Sequence, residues 1–200
     1  MTKPIHEQEF AVIDVETTGA NPAINSLISV AIVPLNDTKA VFSVFVRPDN
    51  PVWSPIAHKY FRSFESEWVK SAISPEKASE KLINYLRANF KKNVVLIGHN
   101  VGFDISFLRQ LFASAGYDDV KGISHRSIDT HSLLFTLWKV GIVEKYLSSS
   151  DDAFSYFGIQ IPKGKRHTAL EDAIATRSLF NRAISKLASY ESGIHAKVVE

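Results

Sequence analysis

No cysteine occurs among the 200 residues of the chain. This absence excludes a disulfide framework, a thiolate zinc site and a cysteine nucleophile. No apolar run approaches the roughly 18 residues needed to cross a bilayer, so we expect no membrane association. The first ten residues, MTKPIHEQEF, also lack the apolar stretch of a secretory signal. Together these absences favour a cytoplasmic protein.

The charge and size of the chain restrict its class only loosely. Its net charge of +2 is small, whereas a dedicated nucleic-acid binder is usually more basic. Its apolar share of 45% is that of an ordinary globular protein. Two hundred residues suit one domain with a sizeable core, so we expect a single domain over residues 1–200.

Three strand-like segments come first in the chain. They are Phe10–Glu16, Leu27–Leu35 and Val41–Arg47. The first is apolar on both sides of its alternation, which predicts a central strand covered on both faces. The short Asn36–Asp37 loop predicts an antiparallel connection between the other two strands.

Helices and strands alternate in the rest of the sequence. Ser74 and Pro75 are the residue types of a helix N-cap and a first helical position. The other predicted elements are a strand over Val94–Gly98, a helix over Asp104–Ala115, a short strand around Ser127–Thr130, a helix through Trp138 and a helix from Thr168 to about Leu187. This order predicts an α/β domain with a mixed sheet and helices on both faces.

Two carboxylates occur where the sequence is otherwise most apolar. Asp14 and Glu16 are two positions apart in the first strand and therefore share one of its sides. Like charges there repel each other, and their burial is costly unless a cation pairs with them. No Lys or Arg is nearby in the sequence. Mg²⁺ or Mn²⁺ would resolve the conflict; the alternative is a solvent-exposed acidic turn.

Two further acids fall in the first turns of predicted helices. Asp104 shares the apolar stripe of its helix with Leu108, and a helix N-terminus favours an anion. Asp172 follows a T-x-x-E capping box that begins at Thr168, which leaves His167 on the loop before the helix. The alternative for Asp104 is an ordinary acid at a helix N-terminus. The alternative for His167 is a surface histidine.

These residues resemble the motifs of the DEDDh exonuclease superfamily, which includes the epsilon proofreading subunit of bacterial DNA polymerase III and ribonuclease T. The family's Asp-x-Glu matches Asp14–Glu16, with Thr17–Gly19 after it. Its second motif, Asn followed shortly by an aromatic residue and Asp, matches Asn100–Asp104. Its third, His-x4-Asp, matches His167 and Asp172. All three motifs occur in order and span nearly the whole chain.

The resemblance implies a fold, an activity and a catalytic set. The implied fold is ribonuclease H-like, with about five strands of which the first three are antiparallel. The implied activity is 3′→5′ exonuclease cleavage of single-stranded DNA or RNA ends to nucleoside 5′-monophosphates. Asp14, Glu16, Asp104 and Asp172 would hold two divalent metal ions, Mg²⁺ or Mn²⁺, in a two-metal mechanism. His167 would be the general base.

Substrate contacts are expected around the same motifs. Many family members carry a His-Gly dipeptide after the third strand, where this chain has two aromatic residues within Ala57–Arg62. These aromatics would stack on bases or, alternatively, pack in the core. The basic loop before His167 would hold the phosphate backbone or be a solvated turn. The residues expected to contact substrate are Thr17, Thr18, Asn100, Phe103, Tyr60, Phe61, Lys165 and Arg166.

Two other functions stay open at this point. One is a proofreading exonuclease subunit bound to a DNA polymerase; the other is a nucleic-acid-binding module without catalytic activity. The segment after Leu187 is short for a docking segment, which favours a free-standing enzyme over the proofreading subunit. An inactive module need not retain the acids and the histidine. Because all of them are present, the inactive module is the least favoured alternative.

Overall fold

The computed structural model describes residues 8–36 and 41–198, with side chains through residue 190. Its strands are β1 Phe10–Thr17, β2 Leu27–Pro34, β3 Phe42–Phe45, β4 Val94–Gly98 and β5 Ile123–Asp129. They form a five-stranded sheet in the order β3-β2-β1-β4-β5. Asp37, in the predicted loop between β2 and β3, lies outside the described residues.

The sheet combines antiparallel and parallel pairs. β1 pairs with β2 and β2 with β3 in antiparallel fashion, whereas β1–β4 and β4–β5 are parallel. This confirms the predicted mixed sheet with three antiparallel strands at the start of the chain. β3 is shorter than the predicted Val41–Arg47, because Val46 forms only an isolated bridge to Ile73.

Seven helices occur among the described residues. They are α1 Pro55–Phe61, α2 Glu65–Ser71, α3 Pro75–Asn89, α4 Val101–Ser114, α5 Thr130–Lys139, α6 Ser150–Tyr156 and α7 Ala169–Val198. Two bounds differ from the prediction by more than one residue. α4 begins at Val101, because Asn100 adopts a left-handed conformation (φ 62°) that leads from β4 directly into the helix. α7 continues eleven residues past Leu187, to Val198.

Helices cover both faces of the sheet, as predicted. On one face α7 packs against β1 and β2. Its Ala169 and Ala173 are buried against Val12 and Ala31, and these small side chains allow a close approach. On the other face α3 and α4 contribute buried apolar side chains such as Phe107 to the largest core cluster. β1 is therefore enclosed between layers of helix.

The sequence did not predict α1, α2 or α6, each of which has seven residues. α1 begins at Pro55 after Ser54, whose hydroxyl accepts the Ala57 N–H at 3.2 Å. α1 and α2 bury Phe61 and Phe64 against β2 and the neighbouring tryptophans. Within the described residues, none of the helices is long and apolar enough to cross a membrane.

Candidate active site

Three carboxylates from two distant parts of the chain meet at the end of β1. Asp14 and Glu16 come from β1, and Asp172 comes from the first turn of α7, which lies across that strand. One carboxylate oxygen from each residue lies within 4.8 Å of the corresponding oxygens of the other two. The alternation of β1 thus directs two acids toward the helix that carries the third.

Asp104 joins this group from the first turn of α4. It is 5% exposed, and its Oδ1 accepts the Val15 N–H at 3.0 Å. β4 pairs with β1 only as far as Val12, so a side chain takes the place of a strand as partner of the Val15 amide. Asp104 also lies close enough to Asp14 to raise its pKa. We call the four residues Asp14, Glu16, Asp104 and Asp172 the acid cluster.

Burial raises the pKa of every member of the acid cluster, and repulsion by other members adds to the shift for Asp14, Glu16 and Asp104. Burial is the largest cause for Asp14, and Asp104, Glu16 and Asp172 raise its pKa further. Burial and Asp172 raise the pKa of Glu16 to about 8. Burial raises the pKa of Asp172 to about 6, although Arg166 opposes the shift. A full negative charge on the cluster at neutral pH therefore requires a compensating cation.

Arg166 supplies one positive charge to the acid cluster. Its guanidinium forms ion pairs with Asp172 and with Asp151 of α6, the latter at 2.8 Å, and donates to the Ser150 hydroxyl at 2.8 Å. The predicted phosphate contact for Arg166 is thus not the contact that the structure shows. Without this arginine the Asp172 carboxylate would be left as an uncompensated, largely buried charge. Arg166 lies 150 residues after Glu16 in the sequence, so the residues around Asp14 and Glu16 give no sign of this cation.

Lys165, the other basic residue expected to bind phosphate, points away from the acid cluster. Its ammonium lies 3.6 Å from the Glu67 carboxylate on α2, and both side chains are exposed. This ion pair links the loop before α7 to the short helices on the other side of the cleft. Its role as a phosphate contact stays a prediction.

His167 is held at the edge of the acid cluster. Its φ is 62°, and its backbone N–H donates to Asp172 Oδ2 at 3.2 Å. The Thr168 hydroxyl donates to the Lys165 carbonyl at 2.7 Å, which closes the loop. The His167 ring lies against Tyr60, with centroids 4.0 Å apart and planes inclined by 33°. Burial, with a smaller effect of Arg166, lowers the pKa of His167, which favours the neutral imidazole that accepts a proton.

A mainly apolar pocket of about 290 Å³ adjoins the acid cluster, and its lining includes Glu16, Thr17, Tyr60, Phe61 and Phe103. Tyr60 and Phe103 are 40% and 38% exposed, so their rings are accessible from solvent. Phe61 is only 5% exposed and packs in the aromatic cluster of α1 and α2. The two aromatic residues therefore divide between the alternatives: Phe61 is a core contact, whereas Tyr60 is available to a ligand.

The two threonines that were predicted to contact substrate have different surroundings in the turn after β1. Thr17 lines the pocket, and its hydroxyl donates to the Gly19 carbonyl at 2.7 Å. Thr18 is fully buried, and its hydroxyl accepts the Ser26 N–H at 2.9 Å. Thr18 consequently stabilises the turn and does not reach the cleft, contrary to the expected substrate contact. Asn100 is exposed at the start of α4, where its predicted substrate contact is sterically open.

Asn25 is a positioning residue that sequence reasoning missed. Its Oδ1 accepts the Asn21 N–H at 3.0 Å, its Nδ2 donates to the Val52 carbonyl at 2.8 Å, and its carbonyl accepts from Gln110 at 3.0 Å. A Cβ on Gly19 would lie 2.5 Å from Asn25 Oδ1, so the turn requires glycine there. Because Val52 and Gln110 are remote in the chain, an asparagine in a loop gave no sequence signal of this role.

The acid cluster fits divalent metal ions on the chemistry of its donors. Asp172 Oδ1 is buried and has no hydrogen-bond partner among the described residues. Arg166 pairs with the other oxygen of this carboxylate, so one ligand atom stays available beside Asp14 and Glu16. Carboxylate oxygens are the ligands that Mg²⁺ and Mn²⁺ prefer. The residues present therefore suit these ions.

Comparison with known proteins identifies the family. A family model described as an exonuclease matches residues 11–180. The chain belongs to this exonuclease family. Over 183 residues the exonuclease chain is 29% identical to a DNA polymerase III PolC-type protein of Caldanaerobacter subterraneus subsp. tengcongensis, covering 90% of this chain and 12% of that protein. It is 29% identical over 190 residues to a DNA polymerase III subunit epsilon-like protein of Rhodobacter capsulatus, covering 92% and 25%.

A shorter relative and a solved structure complete the comparison. The exonuclease chain is 27% identical over 190 residues to ribonuclease T of Wigglesworthia glossinidia brevipalpis, covering 88% of this chain and 84% of that protein. Its fold is similar to that of E. coli exonuclease I in complex with a dA16 oligonucleotide, with a TM-score of 0.72 at 16% identity, covering 89% and 41% of the two chains. The chain thus spans only a small part of its polymerase-type relatives.

We expect Glu16→Gln to raise the melting temperature of this exonuclease domain in chelator at pH 8, with a much smaller gain at pH 5. A carboxyl whose pKa rises from 4.5 to about 8 on folding stabilises the folded state fully below pH 4.5, and this contribution is lost as the pH rises to 8. Glutamine does not titrate. Thermal unfolding from pH 5 to pH 8 measures the difference, and equal gains at both ends would contradict it.

We expect Arg166→Gln to destabilise the exonuclease domain in chelator, because Asp172 is left without its cation. The loss should be on the order of 2 kcal/mol, less than for a fully buried pair because Arg166 is partly exposed. Saturating Mg²⁺ should reduce this loss. Lys165→Gln is the matched control, since its exposed ion pair is worth under about 1 kcal/mol. Equal losses for the two variants in chemical denaturation would exclude the counter-ion role.

Proposed function

We propose that the chain, as one domain over residues 1–200, is a divalent-metal-dependent 3′→5′ exonuclease that hydrolyses single-stranded nucleic acid to nucleoside 5′-monophosphates. The observation that carries the proposal is the convergence of Asp14, Glu16 and Asp172 within 4.8 Å. Asp104 is adjacent, and His167 lies on the loop beside them. Membership of the exonuclease family supports the reaction class.

The acid cluster would hold the two metal ions, Mg²⁺ or Mn²⁺. Bound there, these ions would supply an activated water and stabilise negative charge on the phosphate and the leaving 3′-oxygen. Asp14 lies on the central strand between the other acids and is the candidate for a ligand shared by both ions. The hydrogen bond from Val15 fixes the Asp104 carboxylate, so this ligand needs little reorganisation on binding.

His167 would accept the proton of the attacking water. Its lowered pKa keeps the imidazole neutral near pH 7, as a general base requires. Its backbone bond to Asp172 fixes the loop beside the acid cluster. The contact with Tyr60 restricts the ring itself. The backbone and the ring of His167 are therefore oriented by different elements, α7 and α1.

The apolar pocket beside the acid cluster would receive the 3′-terminal nucleotide. Tyr60 and Phe103 present accessible aromatic faces to this pocket, and stacking on bases is tolerant of sequence. Thr17 lines the same pocket as Glu16 and would contact the terminal sugar. A terminal residue enclosed in this way would explain cleavage from an end of the strand.

Both DNA and RNA are candidate substrates. A similar fold occurs in an exonuclease I complex with a DNA oligonucleotide, and one relative is named ribonuclease T. The described pocket is lined mainly by apolar groups and therefore supports base stacking more than recognition of a 2′-OH. We propose a single-stranded substrate and leave the choice of sugar to the assay below.

Association with a DNA polymerase is a second candidate setting for the same activity. Two relatives are named as DNA polymerase III proteins, and this chain corresponds to 12% of one and 25% of the other. A domain of this size would then act on 3′ ends that a polymerase delivers. Co-purification of the chain with a replicative polymerase from its own cells would support this setting.

The decisive experiment follows the shortening of 5′-labelled single-stranded DNA and RNA of equal sequence. Each substrate is incubated with Mg²⁺, Mn²⁺ or chelator, and products are separated by length. We expect a ladder that shortens from the 3′ end only when metal is present. A single labelled fragment that results from a cut at one internal position would contradict the proposed reaction. Cleavage in the presence of chelator would also contradict it.

We expect His167→Asn to reduce the cleavage rate by about 10²–10⁴-fold, the usual contribution of general acid–base catalysis. Asparagine tolerates the left-handed backbone at this position but is not a general base. Single-turnover rates with saturating Mn²⁺ measure the effect, and the unfolding temperature checks that the loop survives. A variant that cleaves at the wild-type rate would show that His167 is not the base.

We expect Tyr60→Ala to lower both substrate affinity and the cleavage rate, because it removes the ring that contacts His167 and faces the pocket. Tyr60→Phe is the matched control and should restore both, since it keeps the ring and removes only the hydroxyl. Separate determination of kcat and KM on a short oligonucleotide tests this. If the phenylalanine variant were as impaired as the alanine variant, the hydroxyl and not the ring would be responsible.

A further inference from the structure

A second set of exposed aromatic side chains lies outside the pocket. We define the α5 patch as His131, Phe135, Trp138 and Lys139 of α5, with Tyr146 from the segment that follows. The Phe135 and Tyr146 side chains are 44% and 46% exposed. Large exposed apolar side chains in a contiguous group mark interaction surfaces more often than isolated ones do.

The rings of the α5 patch are continuous. The centroid of Tyr146 lies 5.3 Å from that of Trp138, 6.1 Å from that of His131 and 6.4 Å from that of Phe135. The His131 Nε2 is 3.2 Å from the Tyr146 hydroxyl. Tyr146 is thus the centre of the patch and is held by contacts from α5, although it belongs to another segment.

The patch begins at the edge of the sheet that carries the acid cluster. Asp129, the N-cap of α5, accepts the Val101 N–H at 2.9 Å through one carboxylate oxygen and the Ser132 N–H at 3.0 Å through the other. This bond ties the start of α5 to the start of α4, which carries Asp104 three residues later. The His131 ring lies 5.6 Å from that of His99, at the end of β4. These contacts fix the start of α5 against the start of α4 and the end of β4, beside the element that carries Asp104.

The charge of the patch indicates the chemistry of its partner. The Lys139 ammonium lies 4.4 Å from the centroid of the Trp138 ring and 5.8 Å from that of Phe135. Glu144, the nearby acid on the following segment, is engaged by Lys186 at 3.4 Å and by the Tyr156 hydroxyl. Exposed aromatic faces with an ammonium group between them bind bases and phosphates of single strands.

We propose that the α5 patch binds the single strand upstream of its 3′ end, with bases stacked on Phe135 and Tyr146 and a phosphate near Lys139. The inference rests on the proposed exonuclease function, because the terminal nucleotide must occupy the cleft for the strand to reach the patch. Short substrates would be held by the cleft alone. Longer strands would gain affinity from the patch and stay bound through successive cleavages.

The test measures binding of fluorescent oligothymidylates of about 4 and about 20 nucleotides to the full chain. Asp14→Asn is present in every protein to prevent cleavage. In this background the double variant Phe135→Ala, Tyr146→Ala should bind the long strand at least about tenfold more weakly, since each stacked base contributes severalfold or more. Binding of the short strand should be unchanged.

Tyr190→Ala is the matched control, because Tyr190 is equally exposed, at 46%, but lies on α7 outside the patch. Tyr146→Phe keeps the ring and should bind the long strand like the parent. Unchanged long-strand binding by the double variant, or equal losses for both lengths, would overturn the proposal. Self-association that the double variant abolishes would also overturn it, since the patch would then join two copies of the chain.

Cleavage of the short strand by the chain with an intact acid cluster separates failure of this inference from failure of the proposed function. If the short strand is cleaved with Mn²⁺ and the double variant binds the long strand normally, only the patch is refuted. If the short strand is not cleaved but the double variant loses long-strand affinity, the patch binds nucleic acid and the exonuclease proposal fails.

Discussion

Repulsion among buried carboxylates is the constraint on which this structure depends. Four acids from three distant parts of the chain are brought to the end of the central strand, where burial raises their pKa values. Such a group is unfavourable unless positive charge is supplied. Arg166 supplies part of it from within the chain, and divalent ions are the natural source of the remainder. The loop before α7 therefore carries both the proposed base, His167, and the positive charge of Arg166 that pairs with Asp172.

The surrounding architecture makes this group of acids achievable. β1 is fixed by strands on both sides and by helices on both faces, so its end cannot relax away from the charges. Asp104 replaces the missing strand partner of Val15, and Asn25 anchors the turn that follows. A rigid support of this kind holds the carboxylates of the acid cluster close together although they repel one another.

The sequence predicted the elements with strong patterns and the residues with anomalous ones. The mixed sheet, the α3 cap at Ser74 and the covered first strand followed from local periodicity and residue type. Asp14 and Glu16 were conspicuous because charge interrupts an apolar strand. Helices α1, α2 and α6 escaped prediction because seven residues provide too few turns for a periodic signal. The roles of Arg166, Thr18 and Asn25 depend on how irregular turns and loops direct single side chains, which periodic spacing along the chain does not encode.

The double use of α7 has a consequence for how the domain is assembled. The turn that places Asp172 also carries Ala169 and Ala173, which close one face of the sheet. The last ligand thus arrives only when α7 packs on the sheet, so partly folded chains would lack a complete acid cluster. Chains that have not finished folding would then have an incomplete metal site and could not carry out the proposed cleavage.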